Sequence, residues 1–210
     1  MKRLAKCSID PLEGGSTDEV RFYRSNEKPY GAFSNLYRRT ITFEGEEFPT
    51  AEHAYQAAKV KSPDIKTRIK NCHTPAEAKD FFEIHNIKPD NDWTIEKKLI
   101  VMEQILMIKF GGKEPLLTRA LLATGDAVLI EGNNWNDSFW GVCNNIGENN
   151  LGKILMKIRE ELFRQKEKII VLLESKHDNA AVADALSITP RCLYERMIAF
   201  KIQNKEYWIT

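Results

Sequence analysis

"PTAEHAYQAAKV", residues 49–60, is the stretch that decides the fold. Thr50 is a good helix N-cap and the alanine-rich run behind it has high helix propensity, so a helix is expected over 50–61, stopped before Pro63. Ala51, Ala54 and Ala58 give this helix one nearly bare face. Glu52, Tyr55, Gln56 and Lys59 recur at spacings of three and four, so their side chains lie next to one another. A helix with so thin a face can come very close to its neighbour, and that neighbour is expected to be the apolar helix at 95–110. Such an approach would set the polar stripe at the edge of a pocket.

Outward from that helix the pattern is mixed and mainly helical. "VRFYRS" (20–25) has strand character. "RTITFEGEEF" (39–48) reads as a hairpin that turns at Glu44-Gly45. "TPAEAKDFFEIH" (74–85) opens with Thr74 as cap, Pro75 in the first turn and Glu77 to close a capping box. In 95–110 the residues Ile95, Leu99, Met102, Leu106 and Phe110 repeat every three to four, and Ile100, Val101, Ile105 and Ile108 widen the stripe. That breadth predicts a central, largely buried helix, ended by Gly111-Gly112. "PLLTRALLATGD" is a further short helix, "AVLIEG" (127–132) a return to the sheet, and "LGKILMKIREEL" (151–162) an amphipathic helix with Leu151, Ile154, Leu155, Ile158 and Leu162 on one face.

Composition sets outer bounds. The chain has 210 residues, 42% hydrophobic and 29% charged, with a net charge of +1, which suits one main globular domain with a small appendage and announces no strong electrostatic partner. The N-terminus lacks the apolar core of a signal peptide, and the longest apolar run contains Glu103 and Lys109, so a cytoplasmic protein with no membrane contact is expected. Cys7, Cys72, Cys143 and Cys192 are far apart and form no ligand spacing, so no metal site and no cofactor are expected.

One segment breaks every pattern. Residues 133–150, "NNWNDSFWGVCNNIGENN", are dense in asparagine and carry two tryptophans. Trp135, Phe139 and Trp140 offer flat apolar surface, and Asp137 and the asparagines offer directional hydrogen bonds, as a site for a polar, ring-bearing small molecule needs. A structural loop whose tryptophans cap the core has the same composition, which leaves both readings open.

Four segments in order then resemble one family. "GAFSNLY" (31–37), "FPTAEHAYQAAK" (48–59), "ATGDAVLIEGNNWNDSFWG" (123–141) and "GENNLGKILMKIREEL" (147–162) are similar to the motifs of the NADAR family, whose bacterial members include N-glycosidases acting on riboflavin intermediates. The resemblance spans residues 22–163. It implies a predominantly helical α+β domain with a small hairpin or sheet. It also implies hydrolysis of C–N bonds between ribose and a base or amine in riboflavin-type or ADP-ribose-derived metabolites. An ADP-ribosyl hydrolase acting on a modified nucleobase, and a non-catalytic sensor of an ADP-ribose-type ligand with a DNA-binding tail, are the alternatives.

Breaking an N-glycosidic bond develops positive charge on the ribose, so the reaction needs a fixed carboxylate beside the sugar, an activated water and a proton or hydrogen bond for the leaving nitrogen. Glu52 and Asp137 are the candidate catalytic carboxylates. Glu52 sits in the first turn of its helix, where the helix N-terminus favours the ionised form, which suits charge stabilisation or base work rather than proton donation. A solvated partner of the helix dipole is its structural alternative. Asn35, Lys59, Trp93, Trp140 and Gly141 are the candidate substrate-binding residues. The tryptophans would stack the base or close the sugar pocket. Lys59 would reach a phosphate or tune Glu52, unless it simply faces solvent. His53 is expected to support the site by orienting a backbone or carboxylate, or to be a buried, satisfied histidine. Many bacterial members carry a Gly-Arg step where this chain reads "DFFEIHNI" (80–87), so a substrate phosphate must be held differently here.

From residue 164 to 210 a separate all-α module of short helices is expected, after a flexible lead-in over 1–19 and the main domain over 20–163. Residues 179–202 resemble a Fis-type helix-turn-helix, with Arg191 and Arg196 as candidate DNA contacts. Ser187 stands where glycine usually makes the turn. Five basic residues (Lys176, Arg191, Arg196, Lys201, Lys205) face four acidic ones (Asp178, Asp184, Glu195, Glu206) from Ser175 onward, a weak basis for phosphate binding. A small helical cap that packs without touching DNA has the same pattern.

Overall fold

A computed structural model describes residues 18–112, 114–176 and 178–202. Most of the lead-in expected over 1–19 and the last eight residues of the expected tail module lie outside the described residues. The strands are few and short. β1 (Glu19–Phe22) pairs in parallel with β4 (Val128–Glu131), with Phe22 opposite Glu131. β2 (Arg38–Phe43) and β3 (Glu46–Thr50) form the antiparallel hairpin predicted around Glu44-Gly45, where both residues hold positive φ. The rest is helical, which makes this the mainly helical α+β fold that the sequence implies.

α1 (Ala51–Ala57) is capped by Thr50, whose hydroxyl accepts the His53 N–H. It is buried all round: Ala51 and Ala54 are fully enclosed, and so, nearly, are Glu52 and Gln56. The close approach that the alanines predicted is therefore real, and α1 packs against α4 (Ile95–Phe110) as well as α3 (Pro75–Ile84), β3 and α2 (Pro63–Lys70). α2 has no counterpart in the sequence reading. Its signal was present in Ser62-Pro63, a capping hydroxyl followed by a first-turn proline, and the Ser62 hydroxyl does accept the Ile65 N–H. In α3 the Thr74 hydroxyl accepts the Glu77 N–H as expected, while the Glu77 carboxylate reaches one residue further back, to the His73 N–H.

α4 is only partly the buried rod expected. Val101, Met102, Ile105, Leu106 and Phe110 are enclosed, but Ile95 and Ile100 are more than half exposed. A helix touched by neighbours on part of its circumference cannot bury so wide a stripe. Its last turn buries Lys109, whose ammonium donates to the Ser34 carbonyl at 2.8 Å. α4 also packs against α6 (Asn150–Lys176) and α5 (Pro115–Leu122). The five apolar residues predicted for one face of 151–162 are all buried.

The boundary expected at residues 163–164 falls inside α6, which continues without interruption to Lys176. The segment 163–176 contains no glycine, proline or asparagine to stop the helix, and Ile169, Leu172 and Leu173 keep the apolar face going. α7 (Asn179–Ala185) and α8 (Pro190–Phe200) fold back, α7 onto α6 and α8 onto α5. Val182, Leu193, Met197 and Phe200 join the same apolar cluster as the main body. An Arg119 guanidinium fastens the contact by donating to the Ile198 carbonyl at 2.6 Å. Between α7 and α8, Ser187 takes the left-handed conformation (φ 54°) that a glycine would hold more cheaply. No described helix is long and apolar enough to cross a membrane.

Candidate active site

A cavity of about 410 Å³ opens where α1, α3, α4, the end of β4 and the loop after β4 converge. Its floor is the polar stripe of α1: Glu52, Tyr55, Gln56 and Lys59 all line it. The Gln56 amide donates to Glu52 Oε1 at 2.7 Å. The ammonium of Lys59 lies over the rings of Tyr55 (5.2 Å) and Phe82 (5.3 Å). Burial pulls that amine down to about 8, against the attraction of Glu52.

Burial opposes the effect of the helix N-terminus on Glu52. The helix N-terminus favours its ionised form, but the side chain is 7% exposed, and loss of solvation pushes its carboxyl above the usual carboxylate range. The Gln56 hydrogen bond and the Lys59 and Lys79 charges only moderate this, and Asp137 adds to it. Glu52 is thus a better proton acceptor than a fully solvated glutamate.

Asp137 and Trp140 also line the cavity, on the asparagine- and tryptophan-rich loop. Asp137 Oδ1 accepts the N–H groups of Phe139 (3.2 Å) and Trp140 (2.9 Å), which fixes the carboxylate in place. Trp140 meets Tyr55 edge to face at 5.5 Å. The asparagines, by contrast, serve the loop itself. Asn133 exchanges two hydrogen bonds with the Asp137 backbone, and Asn149 bonds both Glu131 N–H and the Leu129 carbonyl across to β4. Asn136, Asn144, Asn145 and Asn149 hold positive φ, which asparagine tolerates best after glycine.

The other predicted residues divide. Asn35 lines the cavity, donating its amide to Met102 Sδ at 3.3 Å. Trp93 stands behind the wall, edge to face with Tyr55 at 5.5 Å, and does not line the cavity. Gly141 does not line it either. Its place is forced by contact, since a Cβ there would lie 2.5 Å from the Glu131 carbonyl oxygen. His53 is enclosed below the floor, with Nδ1 2.8 Å from the Thr50 hydroxyl and Nε2 3.2 Å from the Cys72 carbonyl. It ties the start of α1 to the end of α2. Arg191 and Arg196 lie on α8, away from the cavity lining, and Arg191 is paired with Glu195 at 3.1 Å.

Sequence reasoning missed Glu131, Lys79 and Lys98, which also line the cavity. Glu131 is the last residue of β4, and its period-2 position in "VLIE" was the only available hint. Lys79 stands 4.2 Å over the Trp135 ring, and Lys98 5.6 Å over Phe139. Three buried polar atoms of the lining have no partner among the described residues: Asn35 Oδ1, Gln56 Oε1 and Glu131 Oε2. Each costs roughly 1–3 kcal/mol while unpaired. Together they form an acceptor-rich cleft suited to a ligand that carries hydroxyl or N–H groups. Among the described residues no cluster of three metal-ligating side chains exists.

The fold and the cleft define a small α+β protein with a carboxylate-lined pocket, and comparison with known proteins gives that class a family. Residues 21–163 match the NADAR domain model, and the chain belongs to the NADAR family. It is 38% identical over 152 residues to the N-glycosidase Npun_R5314 of Nostoc punctiforme, covering 68% of this chain and 92% of that one. With N-glycosidase YbiA of Escherichia coli it shares 32% identity over 148 residues, 70% of this chain and 90% of the relative. The NMR structure of the E. coli protein YbiA superposes with a TM-score of 0.65 at 31% identity, over 74% of this chain and 91% of that one. The riboflavin biosynthesis protein VVA0006 of Vibrio vulnificus is 35% identical over 144 residues, 68% of this chain but 38% of the longer relative.

Proposed function

We propose that this chain is an N-glycosidase, a hydrolase that cleaves the C–N bond between a ribose and a nitrogenous base or amine. The observation that carries the reading is the cleft itself. Glu52 and Asp137 stand in one aromatic-walled cavity beside the unpaired acceptors Asn35 Oδ1 and Gln56 Oε1. Ribose hydroxyls are donors of the kind those acceptors lack. Membership of a family whose curated relatives are named N-glycosidases supports the same activity.

As the C–N bond lengthens, positive charge spreads over C1′ and the ring oxygen. Asp137, fixed by its two backbone donors, stabilises that charge. Glu52, whose basicity burial raises, takes a proton from the water that attacks C1′. Trp140 and Tyr55 wall the sugar or base, and Lys59, Lys79 and Lys98 supply the cationic groups for a phosphate in place of the absent arginine. The substrate class is a ribosylated, phosphate-bearing base: a riboflavin-type aminopyrimidine or an ADP-ribose derivative.

The test is turnover by the purified chain. It is offered ribosylaminopyrimidine phosphates, NAD and ADP-ribosylated nucleic acid, with release of free base or ribose phosphate followed by chromatography. At least one substrate should be cleaved, and Glu52→Gln should lower its kcat by about 10²–10⁴, the span of general base catalysis. A panel left wholly intact, or a folded Glu52→Gln with unchanged turnover, overturns the reading.

A further inference from the structure

The groups named so far stabilise the ribose and activate water, and none of them protonates the leaving nitrogen. Glu131 closes β4 and is anchored on all sides. Its N–H donates to Asn149 Oδ1 (3.1 Å), its carbonyl accepts the Val142 N–H (2.7 Å), and Gly141 is pressed against that carbonyl. The side chain lines the cavity from this rigid mount, with Oε2 buried and unpartnered among the described residues. The charged groups that act on it are Asp137 from the loop, Glu52 from α1 and Lys79 from α3, two carboxylates against one cation.

We propose that Glu131 is the catalytic acid that delivers a proton to the leaving nitrogen, an inference that rests on the N-glycosidase reading above. Carboxyls crowded into one cavity cannot all ionise. Glu52 has the Gln56 amide and the Lys59 ammonium beside it to favour its charge, whereas Glu131 Oε2 is buried with no partner among the described residues, so Glu131 is the one that keeps its proton. Burial, reinforced by Asp137 and Glu52, pushes Glu131 up to about 8, so it holds a proton at neutral pH. The step balances. The C1′–N bond breaks with its electron pair going to nitrogen, and the Glu131 O–H proton moves to that nitrogen. Water oxygen bonds C1′, and its released proton goes to Glu52. Solvent then returns a proton from Glu52 to Glu131 for the next turnover.

A leaving group that needs no proton separates this role from a structural one. Glu131→Gln keeps shape and hydrogen bonding but cannot give up a proton to nitrogen. It should lower kcat by about 10²–10⁴ on a ribosylaminopyrimidine phosphate, whose amine leaves poorly. On 4-nitrophenyl β-ribofuranoside, which departs as a stable anion, the loss should be less than about fivefold, since the acid's contribution is confined to proton transfer. Glu131→Asp, which retains the acid, should recover part of the rate on the amine substrate. Where the wild type rejects the nitrophenyl probe, the contrast is read from pH. At saturating amine substrate, whose phosphate holds Lys59 charged, the fall in kcat above about pH 8 in the wild type should be missing from Glu131→Gln. Equal losses on both leaving groups, an unchanged rate on the amine, or an alkaline fall that persists in the variant would overturn the proposal while the glycosidase reading stands. A wild type that cleaves none of the substrates would instead overturn that reading, and this inference with it.

Discussion

Lys109 provides a quantitative test of how this core is built. It is 1% exposed, its ammonium donates to the Ser34 carbonyl and lies over the faces of Tyr37 and Phe110, and among the described residues no carboxylate offsets its burial. Burial therefore pulls it from its ordinary 10.5 down to about 7. Because the folded value is depressed, the unfolded chain binds a proton that the folded chain lacks throughout the window from about 7 to 10.5. Stability must then rise with pH across that window, with the penalty fully present below about 7 and relieved towards 10.5. At about 1.4 kcal/mol per unit, the penalty is about 4 kcal/mol at pH 7 and about 2 kcal/mol at pH 9. Lys109→Met keeps most of the volume and removes the titrating group. It also strips the Ser34 carbonyl of its donor, a cost that does not change with pH. Urea unfolding of both proteins at pH 7, 8 and 9 measures the difference. Relative to the variant, the wild type should gain about 2 kcal/mol between pH 7 and 9. A difference that stays constant over that range would show that Lys109 is not neutralised by burial.

Two further outcomes follow from packing. Gly141→Ala drives a methyl into the Glu131 carbonyl, which is backbone and cannot swing aside. It should cost about 1–3 kcal/mol in thermal stability and lower turnover with it, because Glu131 and Asp137 hang from the displaced segments. An unchanged melting temperature would contradict the close approach. A chain ending at Arg164 cuts α6 in mid-course and uncovers the face of α5 that α8 covers, so it should melt well below the full chain in circular dichroism. Equal melting points with full turnover would restore the independent tail module.

The hairpin, the capped helices and the apolar face of α6 were legible because each rests on a short local pattern: a turn pair, a hydroxyl before a helix, a period of 3.6. Glu52, Asp137, Asn35, Lys59 and Trp140 were legible through the family's motifs, and the cavity does bring them together. What escaped depends on distance. Glu131 reads as an ordinary strand residue until β4 pairs with β1 and the loop folds over its end. The shift in Glu52 needed knowledge of burial, which outweighs the helix dipole that a sequence displays. Trp93, which lies outside the four motif segments, and Gly141, which ends one of them, serve the wall and the backbone rather than the cleft. The tail appeared separate because its composition changes at residue 164, while helix continuity and the docking of α8 are set by contacts some 80 residues apart, such as Arg119 with Ile198.

The fully enclosed α1 divides the cleft into parts with different freedom to vary. Any residue larger than alanine at 51 or 54 would push the whole floor, Glu52 included, out of register with Asp137. Asp80 and Glu83 of α3 border the same cavity but are exposed, and Lys79 and Lys98 are half-buried beside them. Exchanges at that rim disturb no packing against α1. The protein can therefore acquire a preference for a new substrate by changing the charges at its entrance, while the apparatus that breaks the bond is inherited intact.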